Sequence, residues 1–283
     1  MRPRTVAEAI ARAAERLSAA GIDDAHLEAE VLLAHAMRID RTHLLAHLHD
    51  PLVPATIESF EDLLSRRLVH EPLAYITGHR EFYGLDMICE PGALIPRPET
   101  ELLVEIALEE IQRRRPAIRI VDVGTGTGVI AVSIAASAPE VRVLAVDASE
   151  QALALAGRNA SRLGVADRVE LRRSDLLDGL GEFDVVLANL PYVREDDWQW
   201  IEPEIQQWEP REALVGGVRG TEVIERLLGQ APGHLAAGGL LAAEIGDAQG
   251  STLAGSARTH FPEAEIRVRT DLAGLDRVLV VRN

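Results

Sequence analysis

Asp122-Val-Gly-Thr-Gly-Thr-Gly128 stands between a short apolar run, residues 118–123, and an apolar stretch of helical length, residues 129–137. Strand, glycine-rich turn and helix in that order open an α/β sheet. Glycines at 124, 126 and 128 let the backbone pass close to a ligand at the carboxyl edge of the strands. The dinucleotide fingerprint needs its third glycine at position 129, where Val129 stands, so the spacing is Gly-x-Gly-x-Gly. The acid at the end of the strand, Asp122, suits a cationic or amino-bearing ligand better than a pyrophosphate. A tight strand-to-helix turn that binds nothing would use the same glycines. A second acid, Asp147, ends the next strand, where it can bind ribose hydroxyls.

Outward from this loop, strand and helix patterns alternate. Strands are expected at 141–146, 169–172, 183–188 and 240–244 and near Ile266 and Val278, with helices at 150–163 and from Thr221. The fold class is therefore α/β, a seven-stranded, mainly parallel, Rossmann-like sheet with helices on both faces. Upstream, residues 1–71 read as helices only, a small bundle. Thr5 and Glu8 form a capping box, and Gly21 closes the first helix. Asp23 and Asp24 can cap a second helix with Leu27, Val31 and Leu32 on one face. Pro51 and Pro54 bracket a loop before a third helix through Phe60, Leu64 and Leu68. Residues 72–94, with Tyr75, Ile76, Phe82, Tyr83, Leu85 and Met87 among Gly78, Gly84 and Gly92, read as a β-hairpin linker. The domain that carries the sheet is expected over residues 95–283.

The 283 residues carry 45 acids against 29 basic residues, a formal charge of −16. Every basic residue is Arg, which excludes lysine as a Schiff-base former, amine nucleophile or P-loop ligand. So acidic a chain is a poor sequence-independent nucleic-acid binder, and no direct nucleic-acid binding is expected. One cysteine, Cys89, excludes an internal disulfide and a cysteine-based zinc site. No apolar run approaches membrane-spanning length. Glu8 and Glu15 argue against a transit peptide at the Arg-rich start. A cytoplasmic monomer is expected.

The stretch that points to chemistry is Asn189-Leu-Pro-Tyr192, which follows the strand at 183–188 and so lies at the carboxyl edge beside the glycine loop. A planar –NH2 on an amide or a base is a weak nucleophile, because its lone pair is delocalised. Two acceptors must hold its hydrogens and aim the nitrogen. The Asn189 side-chain oxygen and the Leu190 carbonyl can do this. Pro191 has no N–H to compete and fixes the turn, and Tyr192 offers a face for packing.

Elsewhere the bland and functional readings stay side by side. Trp198, Trp200 and Trp208 are either core or a lid over the site. His43, His47 and His49 lack partners at metal-ligand spacing, and no metal is expected. Arg113-Arg114-Arg115 reads as a solvated helix end. Arg97 can pair with a ligand carboxylate or with Glu99 or Glu101.

Taken together, the loop, Asp147 and the tetrapeptide resemble class I S-adenosylmethionine-dependent methyltransferases. Within them the chain resembles the glutamine methyltransferases of peptide chain release factors, the HemK/PrmC family, over nearly its full length. The matching strings are Glu71-Pro-Leu-Ala-Tyr-Ile-Thr-Gly78, Glu81-Phe-Tyr-Gly84, Leu94-Ile-Pro-Arg-Pro-Glu-Thr-Glu101, Glu209-Pro-Arg-Glu-Ala-Leu214, Glu244-Ile-Gly246 and Asp271-Leu-Ala-Gly274 with Asp276-Arg277. Pro-Arg-Pro-Glu-Thr discriminates best, since adenine methyltransferases share the tetrapeptide but generally not that string.

The resemblance implies transfer of a methyl group from S-adenosyl-L-methionine, with S-adenosyl-L-homocysteine as product. The acceptor it implies is the N5 amide nitrogen of the glutamine in the Gly-Gly-Gln loop of class I release factors. It implies a helical domain that recognises that protein substrate. Asn189, Leu190, Pro191 and Tyr192 are the implied catalytic and substrate-binding residues. Asp122, Gly124, Thr125, Gly126, Thr127, Gly128, Asp147, Leu176 and Asn189 are the implied cofactor set. Leu176 departs from relatives that cover the cofactor with an aromatic residue. Leu190 replaces the usual proline, which should leave a less stiff site. Gly220-Thr221-Glu222 replaces a frequent Asp-Gly-Leu. The rival readings are a methyltransferase for nucleic-acid bases, which would need a basic groove, and a cofactor-binding protein without catalysis.

Overall fold

Ile120, Val121, Asp122 and Val123 are all buried, as a central strand covered on both faces must be. The alternation within it assigns the faces. Ile120 joins an apolar cluster with the helices on one side, and Val121 and Val123 join the cluster on the other. Val185 and Leu187 against Val186 and Ala188 repeat this split one strand away.

A computed structural model describes residues 5–114, 118–271 and 273–283. Arg115 of the arginine run and Leu272 of the closing string lie outside the described residues. The chain forms two compact units, one of residues up to 78 together with 203–208, the other of 79–202 and 209–283.

The first unit contains α1 (Val6–Ala19), α2 (Ala25–Met37), α3 (Arg41–Ala46), α4 (Pro54–Arg67), α5 (Leu73–Thr77) and the helix Pro203–Trp208. The Thr5 hydroxyl caps α1 by accepting the Glu8 N–H at 3.3 Å, and Gly21 takes a left-handed φ of 81° just beyond it. Asp24 is the α2 N-cap without a side-chain bond. The buried face of α2 is Ala25, Ala29, Leu32 and Leu33, while Leu27 is exposed, because the helix packs on α1, α4 and α5 together. Two short helices escape the apolar periodicity. They are α3, capped by Asp40 accepting the His43 N–H at 2.7 Å, and α5, which starts after Pro72 and ends at Gly78. Tyr75 and Ile76 are therefore helical, not part of the hairpin.

The second unit begins with that hairpin, β1 (His79–Phe82) and β2 (Leu85–Ile88). Then come α6 (Glu101–Arg114), β3 (Ile120–Val123), α7 (Val129–Ser137), β4 (Val143–Asp147), α8 (Glu150–Arg162), β5 (Val169–Arg173), β6 (Phe183–Ala188) and β7 (Val193–Arg194). With α9 being the Pro203–Trp208 helix of the first unit, the chain continues through β8 (Val215–Gly217), α10 (Glu222–Gln230), β9 (Leu235–Glu244), α11 (Gly250–His260), β10 (Glu265–Thr270) and β11 (Asp276–Arg282). The seven-stranded sheet runs β10-β11-β9-β6-β3-β4-β5, with β11 antiparallel to both its neighbours and the other pairs parallel. β9 is longer than its apolar run, starting at Leu235 and crossing the exposed Ala237 and Gly238. The hairpin packs on this unit: Phe82 and Met87 enter the α6–α7 core. Fully buried Asn159 of α8 accepts the Ile88 N–H at 2.7 Å and donates to the Thr127 carbonyl at 2.9 Å.

Candidate active site

The sheet register puts three carboxyl ends side by side. Val123 of β3 is opposite Val146 of β4 on one side and Ala188 of β6 on the other. The chain climbs from β3 outward to β5 and then returns to β6 across β3, so strand order reverses there, where open α/β sheets part to form a crevice. A cavity of about 300 Å³ lies at this point. Gly124, Thr125, Gly126, Thr127, Asp147 and Leu176 line it, and so do Asn189, Leu190 and Pro191. Asp122, Gly128 and Tyr192 stand off the wall.

Asp122 is kept away by strand alternation. It shares the face of Ile120 and turns toward α7. There one carboxylate oxygen accepts the Thr125 hydroxyl at 2.6 Å and the Ala131 N–H at 3.2 Å. Its other oxygen has no partner among the described residues, and the residue is fully buried. Burial, opposed by these two hydrogen bonds and aided by the nearby Asp147 charge, pushes the carboxyl up to about 7. Asp122 thus holds the loop from beneath. Asp147 faces outward: its oxygens accept the Gly126 N–H at 2.9 Å and the Ser149 N–H at 2.8 Å. Each oxygen keeps a lone pair that a ligand hydroxyl can use.

Gly124 has a left-handed φ of 71°, and a Cβ there would meet Leu190 Cδ2 at 2.7 Å. Gly128, φ 83°, would bring a Cβ to 2.9 Å from Ala156 of α8. The glycines therefore serve two contacts, one toward the tetrapeptide and one toward helix packing. Leu176 is buried with a φ of 55°, a left-handed backbone that a leucine adopts only under constraint from its surroundings. It supplies an apolar wall in place of an aromatic face. A glycine floor, an outward acid and apolar walls from Leu176 and Val223 fit a nucleoside-bearing ligand.

The tetrapeptide is held from elsewhere in the chain. The Asn189 side-chain N–H donates to the Thr100 hydroxyl at 2.9 Å, and Thr100 donates to Glu244 at 2.7 Å. The Tyr192 hydroxyl donates to the other Glu244 oxygen at 3.1 Å. Burial raises the Glu244 carboxyl above the usual range, and Tyr192 is raised above an ordinary phenol by burial and by Glu244, which keeps it protonated. Gln249 donates to the Tyr192 carbonyl at 2.8 Å and accepts the Gly246 N–H at 2.9 Å. Tyr192 is thus a strut with its hydroxyl tied down. Leu190 is buried in the apolar cluster of α10 and α11, and that packing restrains the backbone where a proline ring would otherwise do so.

Arg97 pairs with Glu209, not with Glu99 or Glu101. The same carboxylate accepts the Ile95 N–H at 2.9 Å and is almost wholly buried. Thr100, Glu244 and Glu209 were visible in the sequence only as parts of matching strings, without roles. Trp198 lies under the Arg211 guanidinium at 5.7 Å, Trp200 is 80% exposed, and Trp208 is half-buried. Among the described residues, none of the three joins an apolar core cluster or the cavity wall. His43 and His47 stack at 4.6 Å. Among the described residues, no cluster of His, Cys, Asp or Glu could hold a metal ion, and no helix is long and apolar enough to cross a membrane. Arg114 and Arg282 clasp the buried Glu110. Burial pushes the Cys89 thiol up to about 12, which leaves it unreactive.

Residues 8–78 match the family model "PrmC N-terminal domain", and residues 98–202 match "Methyltransferase small domain". The release factor glutamine methyltransferase of Cereibacter sphaeroides is 43% identical over 98% of this chain and 98% of its own length. That of Nitratidesulfovibrio vulgaris is 40% identical over 95% and 92%. That of Moorella thermoacetica is 41% identical over 96% of each. Among solved structures, the hMettl16 catalytic domain superposes with a TM-score of 0.58 at 16% identity over 78% of this chain and 80% of its own. A Pyrococcus furiosus methyltransferase does so with a TM-score of 0.51 at 21% identity over 70% and 89%. These two likenesses concern the fold.

Proposed function

The chain belongs to the release factor glutamine methyltransferases, and on that premise we propose how its own residues serve the reaction. It is an enzyme that methylates a release factor glutamine with S-adenosyl-L-methionine, a reaction that bears on translation termination. The acceptor is the N5 amide nitrogen of the glutamine in the Gly-Gly-Gln loop of a class I factor. The Asn189 oxygen accepts one hydrogen of that amide and the Leu190 carbonyl the other, which aims the nitrogen into the cavity. Asp147 takes the ribose hydroxyls, and Gly124 and Gly126 let the loop backbone approach the ligand closely. When bound, the cofactor supplies a methyl group on a positively charged sulfur. Transfer of that methyl to the amide nitrogen would leave a neutral thioether, and the extra proton on the alkylated amide, which is very acidic, would pass to water. No strong base is required; placement and electrostatics supply the acceleration.

Residues 1–71 recognise the factor, residues 72–94 link, and residues 95–283 catalyse. The enzyme works as a cytoplasmic monomer and binds no nucleic acid directly, in keeping with a formal charge of −16. One observation carries this reading: Asn189 and Leu190 share a cavity with the glycine loop and Asp147. The test is incubation with methyl-labelled cofactor and either a release factor or a version whose loop glutamine is replaced. Label on the first only is expected. Label on nucleic acid, or on neither, overturns it.

A further inference from the structure

An asparagine amide has two ends of nearly equal size, and only the oxygen end can accept an N–H from an acceptor amide. Reversed, Asn189 would point its own N–H groups at those of the incoming glutamine. Something must choose the end. We infer that Thr100 and Glu244 are positioning residues that make this choice, so that the Asn189 oxygen faces the cavity.

The argument runs through proton inventory. Both oxygens of the buried Glu244 accept, one from the Tyr192 hydroxyl at 3.1 Å and the other from the Thr100 hydroxyl at 2.7 Å; these two donors and the nearby Arg277 charge favour the carboxylate against the cost of burial, and a carboxylate only accepts. Thr100 has one hydroxyl proton, and Glu244 takes it. What Thr100 turns toward Asn189 is therefore lone pairs. The Asn189 N–H end satisfies them at 2.9 Å; the carbonyl end would meet them oxygen to oxygen. Thr100 is 2% exposed, so water does not relieve a reversed amide. The same carboxylate holds Tyr192, so one buried charge orients both ends of Asn189-Leu-Pro-Tyr192. The Pro-Glu-Thr string and the Glu-Ile-Gly string meet here, although 144 residues separate Thr100 from Glu244.

This rests on the acceptor role given to Asn189, and the experiment separates the two. Thr100→Val keeps the shape without the hydroxyl, and Thr100→Ser keeps the hydroxyl. Turnover and KM are measured on release factor, cofactor affinity by calorimetry, and the Asn189 side-chain NH2 signals by 15N–1H spectroscopy of the free protein, assigned by their loss in Asn189→Asp. Thr100→Val is expected to lower kcat by about 10- to 100-fold, with cofactor affinity within about threefold. Its NH2 signals should shift and exchange faster. Thr100→Ser should return kcat to within about threefold of the parent and restore the signals. Unchanged NH2 signals in Thr100→Val, or a Thr100→Ser enzyme as slow as Thr100→Val, would overturn the relay. If the parent protein leaves release factor unlabelled, the acceptor reading alone falls, and the spectra still decide the relay.

Discussion

The loop after β3 and the tetrapeptide after β6 leave neighbouring parallel strands at the same edge, yet they are held in opposite ways. The loop is fastened by its own neighbourhood: Asp122 takes Thr125 and Ala131, and Asp147 takes Gly126. The tetrapeptide is fastened from afar, by Thr100, Glu244 and Gln249, which lie 89, 52 and 57 residues away from their partners Asn189 and Tyr192. A locally held site can tolerate change elsewhere in the chain. A remotely held one transmits it.

The largest effect is expected from Asn189→Ala. Turnover should fall by about 10²- to 10³-fold, while cofactor affinity, measured by titration, stays within about threefold. Equal loss of both would erase the distinction between the two regions. Next comes Asp122, whose folded value of about 7 stands above the ordinary 3.8. A raised acid costs stability once the unfolded chain can ionise, so the penalty grows from about pH 4 and is complete above pH 7. Between pH 5 and pH 8 the parent protein should lose roughly 3 kcal/mol relative to Asp122→Asn, read from urea midpoints. A difference that stays flat with pH would mean that the loop is not held by a buried carboxyl that exchanges its proton. The smallest effect joins the two regions. Gly124→Ala, at φ 71° and against Leu190, should cost about 1–2 kcal/mol of stability. A double-mutant cycle with Leu190→Ala should show coupling above about 0.5 kcal/mol, and strict additivity would mean that the two segments do not touch.

The same contrast decides what the sequence disclosed. The α/β class was legible because alternation is a local signal, and the strand at Phe183–Ala188 and the helix at Val129–Ser137 fall where their apolar runs fall. The glycine loop and the tetrapeptide were legible because each follows such a strand. That Asp122 turns away from the cavity depends on which face of β3 it shares, and α7 decides that. Five-residue α5 hid among aromatics that suggest a strand, and Leu27 is exposed because tertiary packing, not periodicity, chose the face of α2. The Thr100–Glu244 contact was invisible for the same reason, since no spacing rule joins residues so far apart.

Glu209 carries this into heredity. Its one carboxylate serves Ile95 and Arg97, on a string 112 residues upstream of it at Arg97. A mutation that discharges Glu209 strands a buried amide and an arginine together, so neither string can drift while the other stays. Selection then sees two distant stretches as a single locus. In a randomised library, survivors that lose the acid at 209 should carry a second change at 97, and these linked pairs would record the contact without any coordinates.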